Sequence, residues 1–141
     1  MGGIDLIMKR AILHLTRWRW DVVCYFDIDA SHSNEILDIL EDFGCSEDNL
    51  LDARRNLKNG RKNEGLTYSN LLDRRSIFVV GETSSQDEFY NTWHHELKHL
   101  TDHIIKSDRI DPFSEEAAYL VGDVAKAMYR ILSDYVCECA S

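Results

Sequence analysis

The stretch "NTWHHELKHLTDHI", residues 91–104, decides the fold, because its periodicity predicts a long amphipathic helix on which the rest of the chain can pack. On a helical wheel, with about 100° between residues, His95, Glu96 and His99 share the polar front. The large apolar side chains cluster on the back: Phe89, Trp93, Leu97, Leu100 and Ile104. The stretch therefore predicts a helix that turns an apolar face to the core and presents titratable side chains opposite.

The sequence "HELKH", residues 95–99, has the spacing of a metal site. Residues four apart lie one turn apart on the same face, so the imidazoles of His95 and His99 can reach one ion. Zinc accepts imidazole nitrogen, and Glu96 lies to the side, where it can act on a water without binding the metal. The alternative is a surface helix that carries its histidines by accident.

A catalytic zinc needs a third protein ligand, and the start of the final helix offers Glu115 and Glu116. Small residues lie beside Glu115 on the wheel of that helix: Ala118, Gly122 and Ala125. Because small residues let a neighbouring helix approach closely, we expect this strip to meet the "HELKH" helix and to point Glu115 at the zinc. Glu116 is the other candidate, and both could instead be first-turn acids that favour the helix dipole.

The combination of "HELKH" with the downstream "EEAAYLVG" resembles the gluzincin type of zinc metallopeptidase. It is similar to small zincin-like proteins of bacteria, phages and mobile elements, in which an aromatic residue, here Tyr119, often follows the ligand glutamate by four. The upstream segments "GLTYSN", "RSIFVVGETSS" and "EFYNT" resemble the strand pair that leads into the active helix of that group. The resemblance covers roughly residues 65–130.

This resemblance implies a peptidase that hydrolyses a peptide or protein substrate through a zinc-activated water. His95, His99 and Glu115 would bind Zn²⁺, and Glu96 would be the general base. The strand "RSIFVVG" would form a shelf for an extended peptide, and Tyr119 or His103 could stabilise the oxyanion. The rival interpretation is a non-catalytic zincin-like module that binds proteins, with zinc structural or absent.

Composition limits the other classes of function. The chain has 141 residues, of which 44% are apolar, so residues 1–141 are expected to form a single domain. The net charge of −9 argues against a general nucleic-acid binder, and the basic segment "RRNLKNGRK", residues 54–62, is expected to be a solvated face. With no apolar run of about 20 residues, no membrane association is expected.

The chain also shows no export signal, so a cytoplasmic location is expected. Its four cysteines are accordingly expected to be reduced thiols, structural or incidental in role: Cys24, Cys45, Cys137 and Cys139. The sequence leaves the oligomeric state open.

The order of predicted elements is one strand, two helices, two strands and two helices. The first strand covers residues 18–28 and is expected to be half-buried, because its apolar residues alternate. The active-site helix is predicted at about 86–106 and the glutamate helix at about 114–136. This order predicts a compact α+β zincin-like domain with a small mixed sheet packed against helices.

Overall fold

The structure is a computed structural model that describes residues 10–59 and 61–140, with side chains described as far as residue 133. Short 3₁₀ turns at Thr16–Trp18 and Ala30–His32 follow the first two strands. The strands and helices are, in chain order, β1 (Arg10–Leu15), β2 (Trp20–Ile28), α1 (Ser33–Asp42), α2 (Glu47–Lys58), β3 (Gly65–Asn70), β4 (Arg75–Gly81), α3 (Gln86–Asp108) and α4 (Glu115–Ala140).

The four strands form one mixed sheet in the order β1-β2-β4-β3. The β1–β2 and β3–β4 pairs are antiparallel, whereas β2 and β4 run parallel through the middle of the sheet. The predicted α+β domain with a small mixed sheet packed against helices is confirmed. The strand β1 is an addition, because the residues before Trp18 could not be assigned from their pattern.

Helices cover both faces of this sheet. On one face α1 and α2 enclose an apolar cluster that includes Ile36, Leu40, Tyr25, Ile77 and Val79. On the other face α3 and α4 enclose a larger cluster around Trp20, Phe26, Phe78, Leu100 and Leu120.

The expectation of a half-buried first strand holds for its alternating buried residues but fails at Tyr25, which is buried on the second face. Residues of β2 alternate between the two clusters, with Cys24 and Phe26 in one and Tyr25 in the other. A left-handed Asp27, with φ of 55°, marks a register shift that places Ile28 in the second cluster too. The second face of β2 is therefore exposed at Asp21 and buried at Tyr25, beneath α1 and α2.

The predicted helices form close to their expected bounds. Ser46 caps α2 by accepting a hydrogen bond from the Asn49 amide at 3.3 Å, and Gly44 lies between α1 and α2 with φ of +85°. The active-site helix ends at Asp108, two residues beyond the predicted 106. The glutamate helix runs from Glu115 to Ala140 rather than from about 114 to 136.

The strand "RSIFVVG" cannot be the shelf that was expected for a peptide. It is β4, and its two edges already pair with β2 and β3. The strand at the edge of the described sheet, beside α3, is "GLTYSN", β3. A peptide that adds to this side of the sheet would therefore have to pair with β3.

Candidate metal and catalytic site

The helix α3 carries the site, and its start is fixed locally. The Ser85 hydroxyl accepts a hydrogen bond from the Glu88 amide at 3.3 Å and so caps the first turn. The predicted apolar back is buried against the sheet and α4: Phe89, Trp93, Leu97, Leu100 and Ile104. This packing leaves His95 and His99 exposed on the opposite side of the helix.

The imidazoles of His95 and His99 converge. Their Nε2 atoms are 3.3 Å apart, and the ring centroids are 4.9 Å apart. Two nitrogens that each lie ~2.0–2.1 Å from a tetrahedral zinc are separated by about 3.3–3.4 Å. The pair therefore has the spacing that a shared zinc requires. The same separation also admits an Nε2–H···Nε2 hydrogen bond, so a proton would compete with a metal for this position.

Glu96 is held beside this pair in a buried position. Its side chain is only 7% exposed, and its Oε1 atom accepts a hydrogen bond from the Thr67 hydroxyl at 2.8 Å. Its other carboxylate oxygen, Oε2, lies 4.0 Å from His95 Nε2. One oxygen is thus anchored to β3, while the other faces the histidine pair.

A glycine on β3 makes room for this carboxylate. A Cβ atom at Gly65 would lie 2.7 Å from Glu96 Cγ and 2.6 Å from the Val79 carbonyl oxygen. Both distances are shorter than carbon atoms tolerate, and the carbonyl belongs to the backbone and cannot move aside easily. Gly65 therefore permits the close contact between α3 and the sheet at Glu96.

The opening beside the pair is polar. It is an open depression of about 310 Å³ lined by His95, Glu96, Asn56, Asn63, Glu64, Gly65, Asn91 and Thr92. The sequence did not identify the contribution of Gly65, Thr67 and Ser69, although "GLTYSN" places these three small residues on one face of a strand. That period of two was the signal available in the sequence.

Glu115 lies on another side of α3. It is exposed at the first turn of α4 and lines a separate depression with Lys98 and Asp102, which Glu116 does not line. Within residues 10–59 and 61–133, no three His, Cys, Asp or Glu side chains are gathered closely enough to hold a metal. The structure thus brings His95 and His99 together but does not place Glu115 with them.

The expected close contact through the small-residue strip of α4 is wrong. Gly122 is exposed, and a Cβ atom added to it would meet nothing within 4 Å. The residues of α4 that face the core are mostly larger and lie on a different face of the helix: Ala117, Leu120, Val124, Met128 and Leu132. Burial of these larger apolar side chains removes more surface from water than the small strip could, and it sets the rotation of the helix.

The two residues expected as oxyanion donors have different surroundings. Tyr119 is 56% exposed and has the Arg17 guanidinium 5.5 Å from its ring centre, outside the depression of His95. His103 is half-buried on α3, with its Nδ1 atom 2.6 Å from the Ser69 hydroxyl oxygen. Burial is the main cause that lowers the pKa of His103 below its ordinary value.

Two further observations concern the polar side chains around the pair. Asp102 binds Lys98 through both carboxylate oxygens, at 2.6 and 2.7 Å, and makes this ion pair rather than a contact with His95. His94 points its Nδ1 atom to the Tyr90 carbonyl oxygen at 2.8 Å, away from the metal position.

No helix among the described residues is long and apolar enough to cross a membrane. Cys24 and Cys45 are free thiols, and the side chains of Cys137 and Cys139 lie outside the described part. Comparison with models of protein families, with curated proteins and with solved structures found no match.

Proposed function

We propose that this chain is a zinc-dependent peptidase of the gluzincin type, located in the cytoplasm, in which Glu96 is the general base. The observation that carries the proposal is the 3.3 Å separation of the His95 and His99 Nε2 atoms with a Glu96 oxygen 4.0 Å from the first. An accidental group of surface histidines would have no reason to adjoin a buried, anchored carboxylate.

The residues fit zinc by ligand type and by spacing. Zinc at such a site supplies Lewis acidity, which lowers the pKa of water and polarises a carbonyl group. His95 and His99 would hold the ion through their Nε2 atoms. Glu96 Oε2 would take a proton from the attacking water and return it to the leaving amine, while Thr67 keeps Oε1 fixed.

Glu115 is the third ligand that the sequence predicts, although the described structure does not bring it to His95 and His99. It lines a depression on the flank of α3 with Lys98 and Asp102, which follow His95 and His99 by three residues each. Substitution of Glu115 by Gln should weaken zinc binding, whereas Glu116→Gln should not. Glu64→Gln belongs in the same series, because Glu64 shares the depression of His95 and Glu96.

The proposed substrate is a peptide bound in an extended conformation. β3 forms the edge of the described sheet beside α3, and its Thr67 side chain touches Glu96. Main-chain hydrogen bonds to such an edge give affinity without requiring a particular sequence. A peptide paired with β3 would present its backbone to the depression that contains His95 and Glu96.

The test is the Glu96→Gln variant. The substitution keeps the size of the side chain and both histidines, so we expect unchanged zinc content by elemental analysis. Loss of a general base typically lowers the rate 10²–10⁴-fold, so hydrolysis of a mixed peptide library, read by mass spectrometry, should disappear. Glu88→Gln, on the first turn of the same helix, is the matched control and should cleave normally.

Two results would overturn the proposal. Cleavage by Glu96→Gln at the wild-type rate would place the activity elsewhere. If the zinc-loaded wild type cleaves nothing across the library while it retains peptides, the non-catalytic binding module is the better description.

A further inference from the structure

A chain of hydrogen bonds runs from the core of the protein to α3. The indole N–H of Trp20 donates to the Ser76 hydroxyl at 2.8 Å. The Ser76 and Ser69 hydroxyl oxygens are 2.5 Å apart, and Ser69 Oγ lies 2.6 Å from His103 Nδ1. Trp20 is 1% exposed and Ser76 is 0% exposed, so the inner half of the chain is closed to solvent.

The direction of the protons follows from the chemistry of the inner donor. An indole nitrogen can only donate, so Ser76 must accept there and send its own proton elsewhere. A fully buried hydroxyl needs an acceptor, and the acceptor in contact with Ser76 is the Ser69 oxygen. With Ser76 as the donor to Ser69, the Ser69 proton is directed to His103 Nδ1, which is then the unprotonated ring nitrogen.

This assignment leaves the proton of a neutral His103 ring on Nε2. The lowered pKa of His103, caused mainly by burial, keeps the ring neutral near neutral pH. Charges on His99 and Lys106 act in the same direction, whereas Asp102 opposes them. The imidazole is thus held in one tautomer, with an N–H donor on the side away from Ser69.

His103 contacts the same strand, β3, that holds Glu96 of the candidate site. Thr67 and Ser69 are alternate residues of β3 on the face that meets α3, so Thr67 holds Glu96 and Ser69 holds His103. Two strand residues span ~6.6–6.8 Å, which is also the repeat of an extended peptide. Seven helix residues separate Glu96 from His103, a rise of about 10 Å, so the two side chains would not act on the same carbonyl.

We propose that His103 is a substrate-binding residue that donates its Nε2–H to a backbone carbonyl of a peptide lying along β3. This inference rests on the proposed peptidase function and adds a contact about one dipeptide away from the bond that faces Glu96. The hydrogen bonds from Trp20 through Ser76 and Ser69 keep the ring proton of His103 on Nε2.

The first arm of the test measures the tautomer of His103 in the 141-residue chain, with zinc bound. The ¹⁵N chemical shifts of the His103 ring should show an unprotonated Nδ1 and a protonated Nε2. Ser76→Ala removes the hydroxyl that donates to Ser69 and should give a mixture of tautomers. A protonated Nδ1 in the wild type would overturn the proposal.

The second arm measures binding without cleavage, in the Glu96→Gln background. The probe is a library of N-acetylated, C-amidated decapeptides, passed over immobilised protein and quantified by mass spectrometry. The variant His103→Gln keeps an N–H near the Nε2 position, whereas His103→Asn keeps a polar group only near Nδ1. A lost neutral hydrogen bond costs about 0.5–1.5 kcal/mol, so His103→Asn should weaken retention roughly 2- to 10-fold and His103→Gln should restore it.

The outcomes separate this inference from the peptidase proposal. Peptide retention that depends on His103, in a protein whose wild type cleaves nothing, would support the binding role and refute hydrolysis. Equal retention by the His103→Asn and His103→Gln variants, or no retention at all, would overturn the binding role even if the wild type is an active peptidase.

Discussion

Glu96 owes its orientation to β3 as much as to its own helix. The Thr67 hydroxyl holds one carboxylate oxygen at 2.8 Å, and the missing side chain of Gly65 leaves space for the Glu96 methylene groups. A carboxylate that is free to rotate would face the histidine pair only part of the time. The Thr67 contact is therefore expected to matter for catalysis as well as for stability.

We predict that Thr67→Val separates zinc binding from catalysis. Valine matches the shape of threonine but cannot donate a hydrogen bond, and hydrogen bonds to charged groups contribute about 1.5–3 kcal/mol. The variant should lose stability of that order in urea unfolding, keep its zinc, and cleave peptides more slowly. Thr67→Ser retains the hydroxyl and should stay near the wild type in rate.

A double-mutant cycle identifies the partner of Thr67. In the Glu96→Gln background, removal of the Thr67 hydroxyl should cost less, because a neutral amide oxygen is a weaker acceptor than a carboxylate. An equal cost in both backgrounds would show that Thr67 stabilises the fold through other contacts.

At the scale of single residues, the sequence predicted which side chains share a face of one helix. The spacing of His95 and His99 is a local property, so the convergence of their rings could be expected from the five residues "HELKH". The contacts of Gly65, Thr67 and Ser69 depend on how β3 lies against α3, which is a tertiary relation. No pattern within "GLTYSN" states which helix will cover it, and for this reason the supporting residues were missed.

The rotation of α4 is decided by its large side chains. Leu120, Val124 and Met128 are fully buried, whereas Ala118 and Gly122 of the small-residue strip are exposed. The expectation for Glu115 assumed the opposite rotation. From the sequence, either the small-residue face or the large apolar face of α4 could have packed against the core. The face with more apolar surface does so.

We predict opposite effects for substitutions on these two faces. Gly122→Ala should raise the free energy of unfolding by about 0.5–1 kcal/mol, because alanine favours the helix and its Cβ meets no neighbour. Leu120→Ala should lower it by about 2–5 kcal/mol through the cavity it leaves. Thermal or urea unfolding of the two variants measures both values.

The reverse result has a clear meaning. If Gly122→Ala destabilises the protein while Leu120→Ala has little effect, α4 is rotated so that the small strip faces α3. Glu115 would then point toward the histidine pair, as the sequence suggested.

The other elements show where local signals suffice. The starts of α2 and α3 are fixed locally, because Ser46 and Ser85 each accept a hydrogen bond from an amide within the first turn of their own helix. The first strand was misjudged at Tyr25, because the burial of its second face depends on α1 and α2. β1 carried no capping signal, and its short pattern suits a helix or a strand.

At the scale of the whole molecule, the two apolar clusters do not depend on the histidine pair. Neither cluster includes His95 or His99, which lie exposed on the outer side of α3. The fold therefore has its own source of stability, unlike small domains that fold only around a metal.

We predict that removal of zinc leaves the protein folded. After treatment with a chelator, far-ultraviolet circular dichroism should be unchanged, and unfolding should stay cooperative. Zinc at about 100 times its dissociation constant should then add about 2.7 kcal/mol. His95→Ala should gain nothing from added zinc, and unfolding of the wild type by the chelator would show that the metal is structural instead.

The parallel contact in the middle of the sheet has a consequence for how the chain folds. Each antiparallel pair, β1–β2 and β3–β4, joins strands that are neighbours in the sequence. The parallel pair β2–β4 instead joins strands that are far apart in the sequence, beginning at Asp21 and Arg75. Pairing β2 with β4 closes a long loop of chain. Such a step is slow in folding, because the chain loses conformational entropy before the stabilising contacts form. The contact between Glu96 and Thr67 lies within the continuous segment from β3 to α3, so the reactive geometry can assemble before β2 pairs with β4. Substitutions along the β2–β4 seam should therefore slow folding more than they disturb the site once it has formed.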